Sequence, residues 1–333
     1  MKIACFELRD WEKEYLKTKF ENTLALSFHS ETLSIKNVSV ARDMDGIVVF
    51  IYSNINKEVL DQMPNLKFIA TMSTGFDHVD IEECKRRNIL VSTVPTYGEN
   101  TVAEHAFALI FTISRRIIES YERVRERNFS PVGLTGFDLF GKTLGVIGVG
   151  NIGSHVIRIA KGIGMDVLAY KRTPDPKLAA DLGFRFVTMD ELLSQSDIIT
   201  LHVPYNKETH HMLNQEAFSK MKDGAIVINT ARGAIVDTGA LLAAINSGKV
   251  GAAGLDVLEE EPLLREEHEL LHKDFAPEEL MNVLESHILL NNKKVVITPH
   301  NAFNSIEALM RILKTTEENI NGFLSGNPKN LAY

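Results

Sequence analysis

Lys142-Thr-Leu-Gly-Val-Ile-Gly148-Val-Gly150-Asn-Ile-Gly153 is the stretch from which the rest of the chain can be read. A strand-like run from Lys142 to Gly148 enters three glycines spaced G-x-G-x-x-G, and an apolar-periodic helix follows. Each glycine has its own reason. Gly148 permits the tight strand-to-helix turn, Gly150 lets a pyrophosphate approach the backbone, and Gly153 lets helix and strand pack closely. The phosphates then meet a helix N-terminus, where unpaired N–H groups and the dipole favour negative charge. Because a strand and a helix flank the glycines, the stretch predicts a dinucleotide site rather than an ordinary glycine-rich turn.

Outward from this motif, short apolar runs alternate with helix-like stretches. On the N-terminal side they fall at Ile3 to Phe6, Leu24 to Phe28, Gly46 to Ile51, Leu66 to Thr71 and Ile89 to Ser92, an alternation that predicts βα units and a mainly parallel sheet. A long helix is expected from Thr101 to about Ser120, its core face made by Ala103, Ala106, Phe107, Ile110, Phe111, Ile113 and Ile117. Seven further strands are expected from Leu144, Val167, Phe184, Asp197, Ala225, Gly251 and Val295 onward, enough for one doubly wound domain. A final amphipathic helix, Ser305 to Leu324, stops before Gly326 and Pro328. The expected fold is α/β with two mainly parallel sheets: a flavodoxin-like substrate domain (1–100 plus 300–333) and a Rossmann dinucleotide-binding domain (101–299) inserted between two linking helices.

Totals bound the function. A chain of 333 residues suggests two domains, and 44% apolar with 24% charged residues is globular composition. A net charge of −8 without a basic run argues against a nucleic-acid partner. Only Cys5 and Cys84 are present, too few for a disulfide framework, which suits a reducing cytoplasm. The charged N-terminus offers no signal-peptide core, and no apolar stretch approaches the ~20 residues of a membrane span. His268, His272 and His287 stand without metal-ligand company, and on a helix His210 and His211 would point apart, so no metal is expected.

Three stretches carry candidate chemistry. Arg232, in Asn229-Thr-Ala-Arg232-Gly233, stands where a parallel strand ends, and a guanidinium fork there can grip a carboxylate. The acidic run Asp256-Val-Leu-Glu259-Glu-Glu261 is expected to be mostly solvated, with one carboxylate placed to stabilise an imidazolium. His300, in Thr298-Pro-His300-Asn-Ala-Phe303, follows the last strand and is a candidate acid.

Together with Leu201-His202-Val203-Pro204 and Val236-Asp237, these motifs make the chain resemble, over essentially its whole length, the D-isomer-specific 2-hydroxyacid dehydrogenases, most closely their D-lactate branch. The resemblance implies hydride transfer between NAD or NADP and a small 2-keto acid, pyruvate first. Arg232 would bind the substrate carboxylate, His300 would donate the proton, and Glu261 would keep His300 oriented and protonated. It further implies cofactor contacts at Gly148, Gly150, Asn151, Ile152, Gly153, Val203, Pro204, Thr209, Thr230, Ala231 and Asp256. Ser73-Thr74-Gly75 would hold the carboxylate through backbone amides, Tyr97 and Phe303 would line the substrate pocket, and the protein would be a cytoplasmic homodimer.

The chain departs from the pattern at Lys171 and Arg172, where NAD-using members carry an aspartate for the ribose hydroxyls. Two cations there suit a ribose 2′-phosphate, so NADPH use is expected, with Asp175 as the alternative ribose partner. The same pair keeps a glyoxylate or hydroxypyruvate reductase as the rival activity, and a nicotinamide-sensing, corepressor-like binding protein is the rival of another class. A charged, helix-like excursion fills 263–294, with heptad-like leucines read as a surface elaboration.

Overall fold

The computed structural model describes residues 1–259 and 277–333, and the chain forms two compact units, residues 1–97 with 305–333 and residues 98–304. The first unit begins with β1 (Lys2–Cys5), α1 (Asp10–Phe20), β2 (Ala25–Phe28), β3 (Gly46–Val49), α2 (Lys57–Asp61), β4 (Phe68–Thr71), α3 (Ile81–Arg86) and β5 (Leu90–Ser92). All five strands are parallel, in the order β2-β1-β3-β4-β5. That is the flavodoxin-like order, in which the sequence of strands across the sheet reverses between β1 and β3.

The second unit runs through α4 (Glu99–Ser114), α5 (Ile117–Arg125), β6 (Thr143–Ile147), α6 (Asn151–Gly162), β7 (Asp166–Tyr170), α7 (Pro176–Leu182), β8 (Arg185–Phe186), α8 (Met189–Gln195), β9 (Ile198–Leu201), α9 (Gln215–Lys220), β10 (Ala225–Asn229), α10 (Thr238–Ser247), β11 (Val250–Leu255), α11 (Pro277–Leu290) and β12 (Val295–Ile297). Its seven parallel strands are ordered β12-β11-β10-β9-β6-β7-β8, the doubly wound arrangement with the order reversing between β6 and β9. Because side chains alternate across a strand, Ile198, Ile226 and Ile228 enter the core on one face with Ala106, Phe107 and Ile110 of α4, while Ile199, Leu201 and Val227 enter the opposite core. Both faces are therefore buried, which is why these strands read as continuous apolar runs. The last helix, α12 (Ile306–Leu324), is capped by the Ser305 hydroxyl and belongs to the first unit.

Two local expectations need correction. The helix expected over Thr101 to Ser120 is two helices, because Arg116 takes a left-handed conformation (φ 50°) and the Ser114 carbonyl accepts a hydrogen bond from Phe137 N. The apolar face divides with it: Ala103, Ala106, Phe107 and Ile110 are buried, whereas Phe111 and Ile117 are exposed. The excursion is also more than a surface elaboration where it is described, for α11 buries Val283 and Leu289 and leaves Met281, Leu284 and Ile288 in solvent.

Candidate active site

Since every strand of the seven-stranded sheet is parallel, the loops that follow them share one edge. Gly148–Gly153 follows β6, Lys171 follows β7, Val203 follows β9, Arg232 follows β10, Asp256 follows β11 and His300 follows β12. Six strands thus deliver their candidate residues to the carboxyl edge, where open α/β sheets bind ligands.

The three glycines of the first turn do different work. Gly148 has φ 96°, and a Cβ there would stand 2.5 Å from the His202 carbonyl oxygen. A Cβ on Gly153 would stand 2.1 Å from the Gly148 oxygen. A Cβ on Gly150 would meet nothing within 4 Å, so the space beside it is open. No side chain caps α6 and its first turn holds no acid, which leaves its N-terminal dipole for an external anion. Further along the edge the Thr230 hydroxyl is buried without a hydrogen-bond partner among the described residues. Open space beside one glycine, an uncapped helix and an orphaned hydroxyl on one edge fit a dinucleotide.

Other expected cofactor residues build the walls. Thr209 closes its own loop, donating to the Pro204 carbonyl at 2.8 Å and accepting from Asn206 N at 2.8 Å. The Asn151 amide reaches Glu99 at 3.4 Å. Arg172 pairs with Glu208 at 2.8 Å in the open, while Asp175 caps α7 through Lys177 N and Leu178 N. Among the described residues Lys171 has no ion-pair partner.

Arg232 is presented by a braced turn. The buried Asn229 accepts from Ala231 N at 3.0 Å and donates to the Arg232 carbonyl at 2.9 Å. Gly233 lets that turn lie against the next loop, since a Cβ on it would stand 2.1 Å from the Leu258 carbonyl. Asp256, 1% exposed, does not point its carboxylate into open space. It accepts from the Thr298 hydroxyl at 2.5 Å, Asn301 N at 3.0 Å and Ala302 N at 2.9 Å, and its carbonyl accepts from His300 N at 2.9 Å. His105 adds to this cluster, with Nε2 3.0 Å from the Thr298 hydroxyl and 3.5 Å from Asp256. The loop bearing His300, which itself adopts φ 51°, is therefore held at the residues before and after it.

Glu261 lies outside the described residues, as do His268 and His272. Its neighbour Glu259 corrects the expectation of a mostly solvated acidic run: it is 6% exposed and accepts from Thr238 N at 3.0 Å, the Thr238 hydroxyl, and His211 Nε2 at 2.6 Å. His210 and His211 sit in a turn, not a helix, and their rings stack 4.0 Å apart. No group of three or more His, Cys, Asp or Glu suited to a metal occurs among the described residues. The roles of His105, His211 and Glu259 left no mark in local sequence, because each depends on a partner more than twenty residues away.

In the first unit, the carboxyl edge carries Ser73–Gly75 after β4 and Thr93–Tyr97 after β5. The Ser73 hydroxyl is held by Thr71 at 2.6 Å and by the Gly75 carbonyl at 2.6 Å, and the Thr74 hydroxyl donates to Val94 O at 2.7 Å. These bonds fix the loop, and among the described residues the amides of Thr74 and Gly75 have no acceptor. Tyr97 is half-buried in the first unit, and Phe303 is 9% exposed in the second.

A doubly wound unit with a glycine turn at the strand where its order reverses, and an arginine and a histidine leaving strands on either side of β11, is the framework of a nicotinamide-dependent oxidoreductase. Residues 107–302 match the family described as D-isomer specific 2-hydroxyacid dehydrogenase, NAD binding domain. The chain is 36% identical over 330 residues to the D-lactate dehydrogenase of Escherichia coli, covering 98% of each. It is 38% identical over 298 residues to the glyoxylate reductase of Thermococcus litoralis, covering 87% of this chain and 84% of that one. It superposes with TM-score 0.87 on the D-lactate dehydrogenase of Aquifex aeolicus complexed with NAD and lactic acid, at 38% identity and covering 98% and 96% of the two chains. The chain belongs to the D-isomer-specific 2-hydroxyacid dehydrogenases. It is an NAD(P)-dependent enzyme of 2-hydroxy acids and their keto forms.

Proposed function

We propose that the enzyme reduces pyruvate to D-lactate. The observation that supports this most is the exit of Arg232, Asp256 and His300 from the neighbouring strands β10, β11 and β12, on the edge that carries the glycine turn. When bound, the cofactor supplies the hydride. Arg232 is assigned to the substrate carboxylate, which its guanidinium can grip with two parallel hydrogen bonds, and the amides of Thr74 and Gly75 in the first unit are likewise assigned to a carboxylate. His300 gives its proton to the carbonyl oxygen as alkoxide charge develops there, and Arg232 stabilises the same charge. Glu261 orients the imidazole, while Asp256 acts through the Thr298–Ala302 loop as a positioning residue. Tyr97 and Phe303 are assigned to the walls around the substrate side chain.

Lys171 and Arg172 favour a second reading, a glyoxylate or hydroxypyruvate reductase that uses NADPH. Asp175 is committed to capping α7, so its service to a ribose is weakened, and Lys171 stands ready for a 2′-phosphate. Steady-state kinetics on pyruvate, glyoxylate and hydroxypyruvate with NADH and NADPH in parallel separates the readings. The expected result is the highest kcat/KM with pyruvate, with NADPH accepted, and a loss of about 10²- to 10⁴-fold in turnover for His300→Ala. Wild-type turnover in that variant would refute the assignment of the acid.

We also propose a cytoplasmic homodimer. Both cysteines are buried thiols, and no helix among the described residues is long and apolar enough to cross a membrane. The exposed Ile117, Ile118, Tyr121 and Val124 of α5, followed by Phe129 and Val132 at 78% and 79% exposure, form an apolar surface suited to a second copy. Equilibrium sedimentation of a Tyr121→Asp, Phe129→Asp variant should give monomer where the parent gives dimer, and an unchanged dimer would move the interface elsewhere.

A further inference from the structure

The first unit carries a second feature at its carboxyl edge. Glu7 follows β1 with a left-handed φ of 64°, a conformation that costs a non-glycine residue energy unless its surroundings enforce it. Its carboxylate lies in a nest of backbone donors after β3, accepting from Phe50 N at 3.2 Å, Tyr52 N at 3.1 Å and Ser53 N at 3.0 Å, and from the Ser53 hydroxyl. Ser53 is 1% exposed, and its oxygen accepts in turn from Leu33 N at 2.9 Å, so the nest is a rigid part of the fold. Backbone amides converging on one point make an anion site, and here a carboxylate of the chain itself fills it. Burial lifts the Glu7 pKa above the usual carboxylate value even though the four hydrogen bonds pull it down.

The location gives this arrangement a consequence. Strands β1 and β3 flank the reversal point of a 2-1-3-4-5 sheet, the crevice where such sheets take ligands. The next strand, β4, leads into the Ser73–Gly75 loop, and Met72 N donates to Val49 O at 2.8 Å, so the nest and the two unpartnered amides leave adjacent strands about 4.8 Å apart. A monocarboxylate bound at Thr74 and Gly75 has its own anion accommodated. Two like charges about 8 Å apart near a protein surface repel strongly enough to weaken binding on the order of tenfold, so a second anionic group on the same molecule is disfavoured in the neighbourhood of Glu7.

We propose that Glu7 is a specificity-determining residue, a built-in anion that fills the Phe50–Ser53 nest and so restricts the enzyme to keto acids with a single negative charge. The inference rests on the proposed placement of the substrate carboxylate at Thr74 and Gly75. Dicarboxylic keto acids such as oxaloacetate are excluded by charge, not by size alone.

The test compares Glu7→Gln and Glu7→Ala with the parent enzyme, reading kcat/KM for pyruvate and oxaloacetate. Glu7→Gln removes the charge and keeps the shape, so the oxaloacetate-to-pyruvate ratio should rise at least tenfold, mainly through KM for oxaloacetate. In Glu7→Ala the emptied nest should accept acetate: the amide resonances of Phe50, Tyr52 and Ser53 should shift on titration with sodium acetate, and remain unmoved in the parent. Folded Glu7→Gln with the parental ratio would overturn the proposal, as would a Glu7→Ala nest whose amides ignore acetate. If Glu7→Ala does not fold, the Glu7→Gln ratio decides. A parent enzyme that reduces neither keto acid would refute the catalytic reading, and the amide titration would still judge the nest.

Discussion

Replacing Gly150 with Ala should separate the fold of the glycine turn from its function. The backbone there has φ −96° and ψ −154°, open to any L-residue, and the added methyl meets no atom within 4 Å. Stability should therefore hold or rise by about 0.4–1 kcal/mol, because alanine restricts the unfolded chain more than glycine does. Cofactor binding should suffer, since the methyl fills the space through which phosphate oxygens reach the first-turn amides of α6. Losing one charge-assisted hydrogen bond costs about 1.5–3 kcal/mol, or roughly a ten- to hundredfold rise in Kd. Gly153→Ala provides the contrast: its Cβ would stand 2.1 Å from the Gly148 oxygen, a backbone atom that cannot turn aside. Overpacking of that kind costs about 1–3 kcal/mol or more, a fall of several degrees in Tm. Fluorescence titration with NADH, paired with thermal melts of both variants, measures the two effects. Parental NADH affinity in Gly150→Ala, or a melt lower than that of Gly153→Ala, would refute the division of labour.

Two further outcomes follow from the geometry. Enclosure of the His202 ring, whose Nε2 lies 2.9 Å from the Thr200 hydroxyl, pushes its pKa down to about 3. The unfolded chain therefore binds a proton near pH 6.5 that the folded chain refuses, so this contribution to stability is complete above pH 6.5 and is lost toward pH 3 at up to about 1.4 kcal/mol per unit. Denaturant melts of His202→Gln should show a shallower decline between pH 6 and 4, and an identical decline would exclude His202 as its source. Asp256→Asn, in turn, sets an amide against the donors of Asn301 and Ala302, so the His300 loop should shift and kcat should fall by about tenfold or more, with thermal stability as the control. Unaltered kcat in the folded variant would remove Asp256 from its positioning role.

Much of the fold was legible because its causes are local. Continuous apolar runs such as Ala225–Ile228 mark strands buried on both faces, and in the spacing of the three glycines the positive φ of Gly148 and the contact of Gly153 with the Gly148 oxygen both act within six residues. The break in the helix after Tyr97 was not legible, for nothing near Ser114 announces that Phe137 will claim its carbonyl. The edge bearing Arg232 and His300 was legible from strand order alone, since parallel strands place their C-terminal loops together. The duties of individual acids were not, and Asp256, Glu259 and Glu7 look alike in the sequence, as carboxylates near strand ends.

By itself, then, the sequence determined that this chain builds two parallel sheets and holds a dinucleotide at a glycine turn, because pleat periodicity and backbone sterics act between near neighbours. Only the tertiary structure decided what each polar group does: Asp256 braces the His300 loop, Glu259 binds His211 and Thr238, and Glu7 fills a nest forty-odd residues along the chain. The physical reason is that a carboxylate's role depends on its donors and its solvent exposure, and both come from segments that meet only when the chain folds.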